Sequence, residues 1–209
     1  RTGILKSCEM GYDGKGQYLI SNKNINNFKN NDLKGYILEE VLDFKKEISV
    51  IVCCSKKNTI LYPPVENIHK NSVLRESIYP ARISHKIKNK ALLLAKKIAA
   101  KLKLQGILAI EMFLMKDDTL LINELAPRPH NSGHWSLDFC KYSQFESLIF
   151  SIFNEKLVQP EPTNSCKMIN VIGKDYEKKK KISKKYKFYD YFKEEVKKLR
   201  KMGHYTFKN

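Results

Sequence analysis

A chain of 209 residues with 42% apolar side chains can bury a substantial core, which excludes a disordered or fibrous protein. The formal charge of +17 raises nucleic acid as a partner, yet residues 174–209 hold 14 Lys or Arg against 5 Asp or Glu, so over half of the excess sits in one lysine-rich tail. That tail reads as a solvated face, and neither a nucleic-acid partner nor a membrane is expected, because no run approaches the roughly 18 apolar residues of a spanning helix. The five cysteines form no CxxC pair, which argues against a zinc site or a disulfide framework and suits a reducing cytoplasm. Cys53 and Cys54 should point to opposite sides of a strand. The first residue is Arg1 rather than Met, the pattern of a fragment, so organellar import through an upstream segment stays open.

In chain order, residues 4–8 and 17–20 read as strands around a turn with Gly11, Gly14 and Gly16. Three glycines let backbone amides turn inward on an anion, and Lys6 and Lys15 favour a phosphate-covering flap over a plain hairpin. A short helix is expected within 22–31, then strands at 36–42, 47–54 and 59–62, the last two joined through a polar turn. Residues 65–82 show no period and carry His69, which as an ordinary loop histidine has even odds. Helical spacing of Ile87, Ala91, Leu94, Ala95, Ile98 and Leu102 predicts a helix over 85–103, stopped by Gly106.

Strands are expected at 107–114 and 119–123 around Lys116, Asp117 and Asp118. A two-residue loop at Asp117 and Asp118 pairs Lys116 with Thr119 and, counting back, Glu111 with Glu124. Facing carboxylates repel across a ladder, so a shared proton, a lysine or a divalent cation must neutralise them. With the Asn123 amide beside them they suit a magnesium ion held jointly with nucleotide phosphates. The strand then runs into NELAPRPHNSGHW at 123–135, which sets an acid, an arginine, two histidines and two asparagines at a strand exit. Unpartnered buried polar groups are costly, so this stretch reads as the floor of a reaction centre. A capping box at Ser143 and Glu146 starts a further helix with Leu148, Ile149, Ile152 and Phe153 as its apolar side. A linker at 159–164 leads to a strand at 166–171 and a small appendix of short strands rich in tyrosine and lysine.

The glycine flap, the Glu-rich strand exit and the facing carboxylates together resemble the ATP-grasp superfamily. The blocks GYDGKGQ at 11–17, NELAPRPHNSGHW, SQFE at 143–146 and RKMGH at 200–204 resemble its 5-(carboxyamino)imidazole ribonucleotide synthetases, from about Lys6 to the end of the chain. The resemblance implies an α+β ATP-grasp fold with a lid at 1–42, a mainly antiparallel core sheet with helices at 43–158, and a small β-rich C-terminal subdomain at 159–209. It implies ATP-dependent carboxylation of 5-aminoimidazole ribonucleotide with bicarbonate through carboxyphosphate, in purine biosynthesis, with ATP and Mg2+ and as a homodimer when full-length.

By the same resemblance Glu111, Glu124 and Asn123 hold Mg2+, while Lys6, Gly11, Tyr12, Asp13, Gly14, Lys15, Gly16 and Gln17 cover the phosphates. Glu39, Glu40, Val41 and Leu42 correspond to the adenine-reading linker, Glu47 to the ribose acid and His69 to a nucleotide-site position. Arg128, His130 and Asn131 fall at the bicarbonate and carboxyphosphate site, and Tyr12, Asp13, Lys193 and Arg200 at the ribonucleotide. Two departures stand out. Lys197 takes the place of an arginine in the family's RPGRKMGH, and the family's leading domain of about a hundred residues is not in this sequence, so the fragment is expected to be inactive alone. The competing readings are another ATP-grasp carboxylate–amine ligase and a basic, non-enzymatic nucleic-acid-binding module.

Overall fold

The computed structural model describes residues 2–9, 16–24 and 33–209. Its contacts separate into two compact units, Arg1–Asp43 with Lys70–Val73, and Phe44–His69 with Leu74–Asn209. The smaller unit is a three-stranded antiparallel sheet of β1 (Thr2–Ser7), β2 (Gln17–Ser21) and β3 (Tyr36–Glu40), with β1 central. Leu5 and Ile20 are the buried residues of these three strands, while Leu19, Ile37 and Leu38 are exposed. The flap residues Gly11, Tyr12, Asp13, Gly14 and Lys15 lie outside the described residues, as does most of the helix expected within 22–31. The loop base is closed by a backbone bond from Ser7 N–H to Gly16 O of 2.8 Å.

The larger unit is built on β4 (Phe44–Cys54), whose side chains alternate between two cores. Ile48, Val50, Val52 and Cys54 pack toward α1 (His85–Lys101), where Ala91, Ala95 and Ala99 allow close approach; Ile51 and Cys53 join Trp135 and Tyr62 on the other face. Cys53 and Cys54 thus face opposite ways, as strand geometry requires. Nine strands form the sheet, in the order β11 (Lys187–Asp190), β12 (Lys201–Lys208), β10 (Cys166–Ile172), β7 (Val73–Tyr79), β6 (Val65–Lys70), β4, β8 (Gly106–Met115) and β9 (Leu120–Ala126), with β5 (Thr59–Leu61) on β4. The C-terminal strands therefore hydrogen-bond onto β7 and prolong this sheet.

Three expectations need correction. Residues 65–82 hold two strands, because the polar residues that hide their period are themselves buried. Glu66 is 5% exposed and takes Lys46 Nζ at 2.8 Å and Arg82 Nη2 at 2.5 Å, and these partners outweigh burial and hold its carboxyl below the usual range. The helix after the capping box, α2 (Gln144–Ile152), turns its small polar face inward and leaves Ile149, Ile152 and Phe153 exposed, while Leu148 packs against the core as expected. Ser151 Oγ donates to Cys54 O and Ser147 Oγ bonds the Tyr62 hydroxyl at 2.7 Å, so hydrogen bonds join the packing of Leu148 and Phe150 in setting its orientation. The β8–β9 loop has three residues, not two: Met115 N–H bonds Thr119 O at 2.9 Å and Asp118 takes φ 63°. That shifts the ladder by one, pairing Met112 with Ile122, and a bulge between Glu111 and Met112 shifts it back. Glu111 still faces Glu124, through two offsets that cancel.

Candidate active site

One row across the sheet carries the chemistry. Ser49 on β4 pairs with Glu111 on β8, which pairs with Glu124 on β9, so the three side chains share a face. Glu111 is 8% exposed, and its Oε1 has no hydrogen-bond partner among the described residues. Burial pushes its carboxyl up to about 7, opposed by the His69 charge and reinforced by Glu124 and Glu47. Glu124 is exposed and Asn123 half-buried in the bulged stretch. No cluster of three His, Cys, Asp or Glu converges among the described residues, so a cation on the Glu111 and Glu124 pair needs further oxygens from a ligand.

Glu47 lies two residues before Ser49 on the same face, 2.9 Å from His69 Nδ1 in an ion pair not aligned as a hydrogen bond. Burial opposes protonation of His69, but the Glu47 and Glu111 carboxylates outweigh it and raise its pKa. His69 is therefore a strand residue with a carboxylate partner. Lys201, at the start of β12, sits close enough for its charge to act on Glu111, His69 and His134. It lies in the RKMGH block at 200–204, and its place beside Arg200 at the mouth of a strand was the signal available in the sequence.

After Ala126 the chain leaves the sheet. Arg128 is exposed, with Nη1 donating to Pro129 O at 3.2 Å. His130 is gripped through its backbone by Gln144, whose Oε1 accepts from His130 N–H at 2.9 Å and whose Nε2 donates to His130 O at 2.8 Å. The ring Nδ1 meets Ser132 Oγ at 2.8 Å, and from there Ser49, Asn67 and Ser77 follow in steps of 2.9 Å, all four buried. Glu111 Oε1 stands 3.8 Å from the same ring nitrogen. Asn131 makes a reciprocal amide pair with Asn170 on β10, at 3.0 and 2.5 Å, and donates to the Tyr191 hydroxyl at 3.2 Å. Sequence reasoning missed Ser49, Asn67, Ser77 and Asn170, because isolated serines and asparagines in strands look like surface residues until their pairing is known, and it gave Ser132 no role beyond its place in the 123–135 block.

Behind this loop, burial pushes His134 down to about 3 and His204 down to about 4, so both are neutral near pH 7. Gly133 is where the 3-10 turn Asn131–Gly133 presses on the sheet. A methyl group there would overlap Ile51 Cδ1 and come within 2.8 Å of Gln144 Oε1. Gly133→Ala is expected to cost about 1–3 kcal/mol of stability by overpacking, measured by urea denaturation, and to loosen the grip on His130.

Of the other residues singled out, Lys6 pairs with Glu39 at 2.5 Å within the smaller unit, where Gly16, Gln17, Glu40, Val41 and Leu42 also lie. Lys193 and Arg200 lie in the segment between β11 and β12. Lys193 Nζ donates to Lys201 O at 2.8 Å, and Arg200 Nη1 to Glu195 O at 3.3 Å. Lys197 pairs with Glu195 at 2.7 Å.

Residues 1–145 match the model of the ATP-grasp domain, and 166–209 that of the phosphoribosylaminoimidazole carboxylase C-terminal domain. An N5-carboxyaminoimidazole ribonucleotide synthase of Bacillus subtilis is 45% identical over 98% of this chain and 55% of its own. The Staphylococcus aureus N5-carboxyaminoimidazole synthetase structure with ADP superposes with a TM-score of 0.91 at 34% identity, covering 100% of this chain and 57% of that one. The Aspergillus clavatus enzyme with ADP and 5-aminoimidazole ribonucleotide gives 0.87 at 29%, covering 99% and 57%. The chain thus spans little more than half the length of the relatives it matches.

Proposed function

Because this chain belongs to the ATP-grasp family, we propose that it carries the nucleotide-binding and carboxylate-handling part of a ligase that makes N5-carboxyaminoimidazole ribonucleotide from 5-aminoimidazole ribonucleotide, bicarbonate and ATP. The observation that carries the reading is the facing pair Glu111 and Glu124, with a buried oxygen that has no hydrogen-bond partner among the described residues, beside Arg128 and His130 at one strand exit. Its similarity to synthases over 98% of its length supports the same substrates, and the ADP complexes of relatives support the nucleotide.

In this proposal Glu111 and Glu124, with Asn123, would hold Mg2+, which when bound would neutralise charge on the phosphoryl group in transfer. A bicarbonate oxygen attacks the terminal phosphorus, the bond to ADP breaks, and carboxyphosphate forms. The exocyclic amine of the ribonucleotide then bonds to the carboxyl carbon, directly or after release of carbon dioxide, and phosphate leaves. Arg128 binds the planar bicarbonate through two N–H donors, a task suited to guanidinium. His130 and Asn131 flank the carboxylate. Glu47 takes the ribose hydroxyls with His69 beside it, and Glu39, Glu40, Val41 and Leu42 read adenine. Lys6 and residues 11–17 cover the phosphates, while Tyr12, Asp13, Lys193 and Arg200 contact the ribonucleotide, with Lys197 in place of a family arginine. The full-length protein acts as a cytoplasmic homodimer.

Phosphate release from ATP by the full-length protein tests this. It is expected to require bicarbonate and Mg2+ and to rise on addition of 5-aminoimidazole ribonucleotide. No rise with that ribonucleotide removes the substrate assignment, and a rise with formate or glycine in place of bicarbonate points to another ligase of the family.

A further inference from the structure

The serine and asparagine chain behind His130 has a direction. Asn67 Nδ2 can only donate, and it donates to Ser49 Oγ at 2.9 Å, so the Ser49 hydrogen goes onward to Ser132 Oγ, also at 2.9 Å. Ser132 Oγ is 0% exposed, and His130 Nδ1 at 2.8 Å is the acceptor within its reach among the described residues, so its own hydrogen turns there. At the far end, Ser77 Oγ donates to Asn67 Oδ1 at 2.9 Å. Every link points toward the imidazole.

One independent contact agrees with that direction. Ser132 backbone N–H, which can only donate, also points at His130 Nδ1, at 3.3 Å. The chain is also isolated from water: Ser77 and Ser132 are 0% exposed, Ser49 1% and Asn67 5%. Four buried polar side chains from β7, β6, β4 and the loop after β9 are costly to place together unless each is satisfied, as here.

We propose that Ser77, Asn67 and Ser49 are positioning residues that fix His130 as the tautomer protonated on Nε2, so that the ring offers an N–H donor to the anion handled at the strand exit. Resting on the carboxylation reading, this adds to it which proton His130 carries and what holds it there. An acceptor lone pair turned to a carboxylate or phosphate would repel it, whereas a fixed N–H attracts it without reorganisation at the moment of reaction. Asn67 holds the polarity along the side chains, because reversing it requires the whole amide to turn over rather than a hydroxyl hydrogen to rotate.

The test uses the full-length protein with nitrogen-15 histidine, His130 being assigned by the signal lost in His130→Gln. The wild type is expected to show the Nε2–H pattern. Asn67→Asp, which can only accept, should reverse the chain and shift His130 toward Nδ1–H; Ser49→Ala should break the chain. Both should lower kcat for bicarbonate-dependent ATP turnover about tenfold or more, the usual loss when the partner orienting a functional histidine is removed, with KM for ATP unchanged. Ser77→Thr, which keeps the hydroxyl, should retain wild-type kcat and tautomer. In a His130→Gln background, Ser49→Ala should cost nothing further. An unchanged tautomer in folded Asn67→Asp, or an undiminished cost of Ser49→Ala without His130, overturns the proposal. Nitrogen-15 signals respond whether or not the ribonucleotide stimulates turnover, so failure of the substrate assignment is read separately.

Discussion

Glu111→Gln is expected to make the protein more stable above pH 7 and to abolish turnover. Burial lifts the Glu111 carboxyl from 4.5 to about 7, so between those values the folded state holds this proton more tightly than the unfolded chain. Stability therefore falls as pH rises through that window, and at pH 8 the uncompensated charge costs on the order of 3 kcal/mol. Glutamine keeps the shape, carries no charge at any pH and has an amide that can reach a neighbour. The variant should match the wild type near pH 4 and exceed it at pH 8 in urea denaturation. Magnesium with nucleotide should stabilise the wild type and not the variant. Phosphate release should drop by about two orders of magnitude or more, the scale of losing one preorganised electrostatic partner of a transition state. A variant that is less stable at pH 8, or that turns over normally, would remove Glu111 from the metal and phosphate role.

Arg128→Lys is expected to leave the fold untouched and to cut kcat/KM for bicarbonate about 100-fold. Arg128 is exposed, and its Nη1 bond to Pro129 O holds the guanidinium beside its own loop rather than in the core. Surface substitutions of this kind change stability by no more than about 0.5 kcal/mol. A lysine keeps the charge but loses the two parallel N–H donors that grip a planar anion, so the loss separates geometry from charge. Steady-state kinetics against bicarbonate concentration would show it; an unchanged kcat/KM would place the bicarbonate elsewhere.

Where side-chain periodicity is strong, the sequence was legible. The helix at 85–103, the Ser143 capping box and the Glu111 and Glu124 pairing are all in the structure, the last for an incomplete reason. A bulge cannot be read from hydropathy, because Asn123 differs from a turn residue only in where the ladder slips. Residues 65–79 were opaque for the opposite reason: Glu66, Asn67 and Ser77 are polar and buried, and the pattern that announces a strand assumes buried means apolar. The loop at 123–135 announced itself by composition, whereas the residues holding it, Gln144 and the serines, are ordinary letters made consequential by partners up to 83 positions away.

Strand β4 carries this organisation by parity. Its odd-numbered residues serve the site: Glu47 meets His69, Ser49 meets Ser132, Ile51 lies under Gly133 and Cys53 bonds Ser147 O. Its even-numbered residues, Ile48, Val50 and Val52, fill the core beneath α1. Substitutions along the strand can thus drift one face at a time, but insertion or deletion of a single residue would exchange the faces wholesale, putting a glutamate in the core and isoleucine in the site.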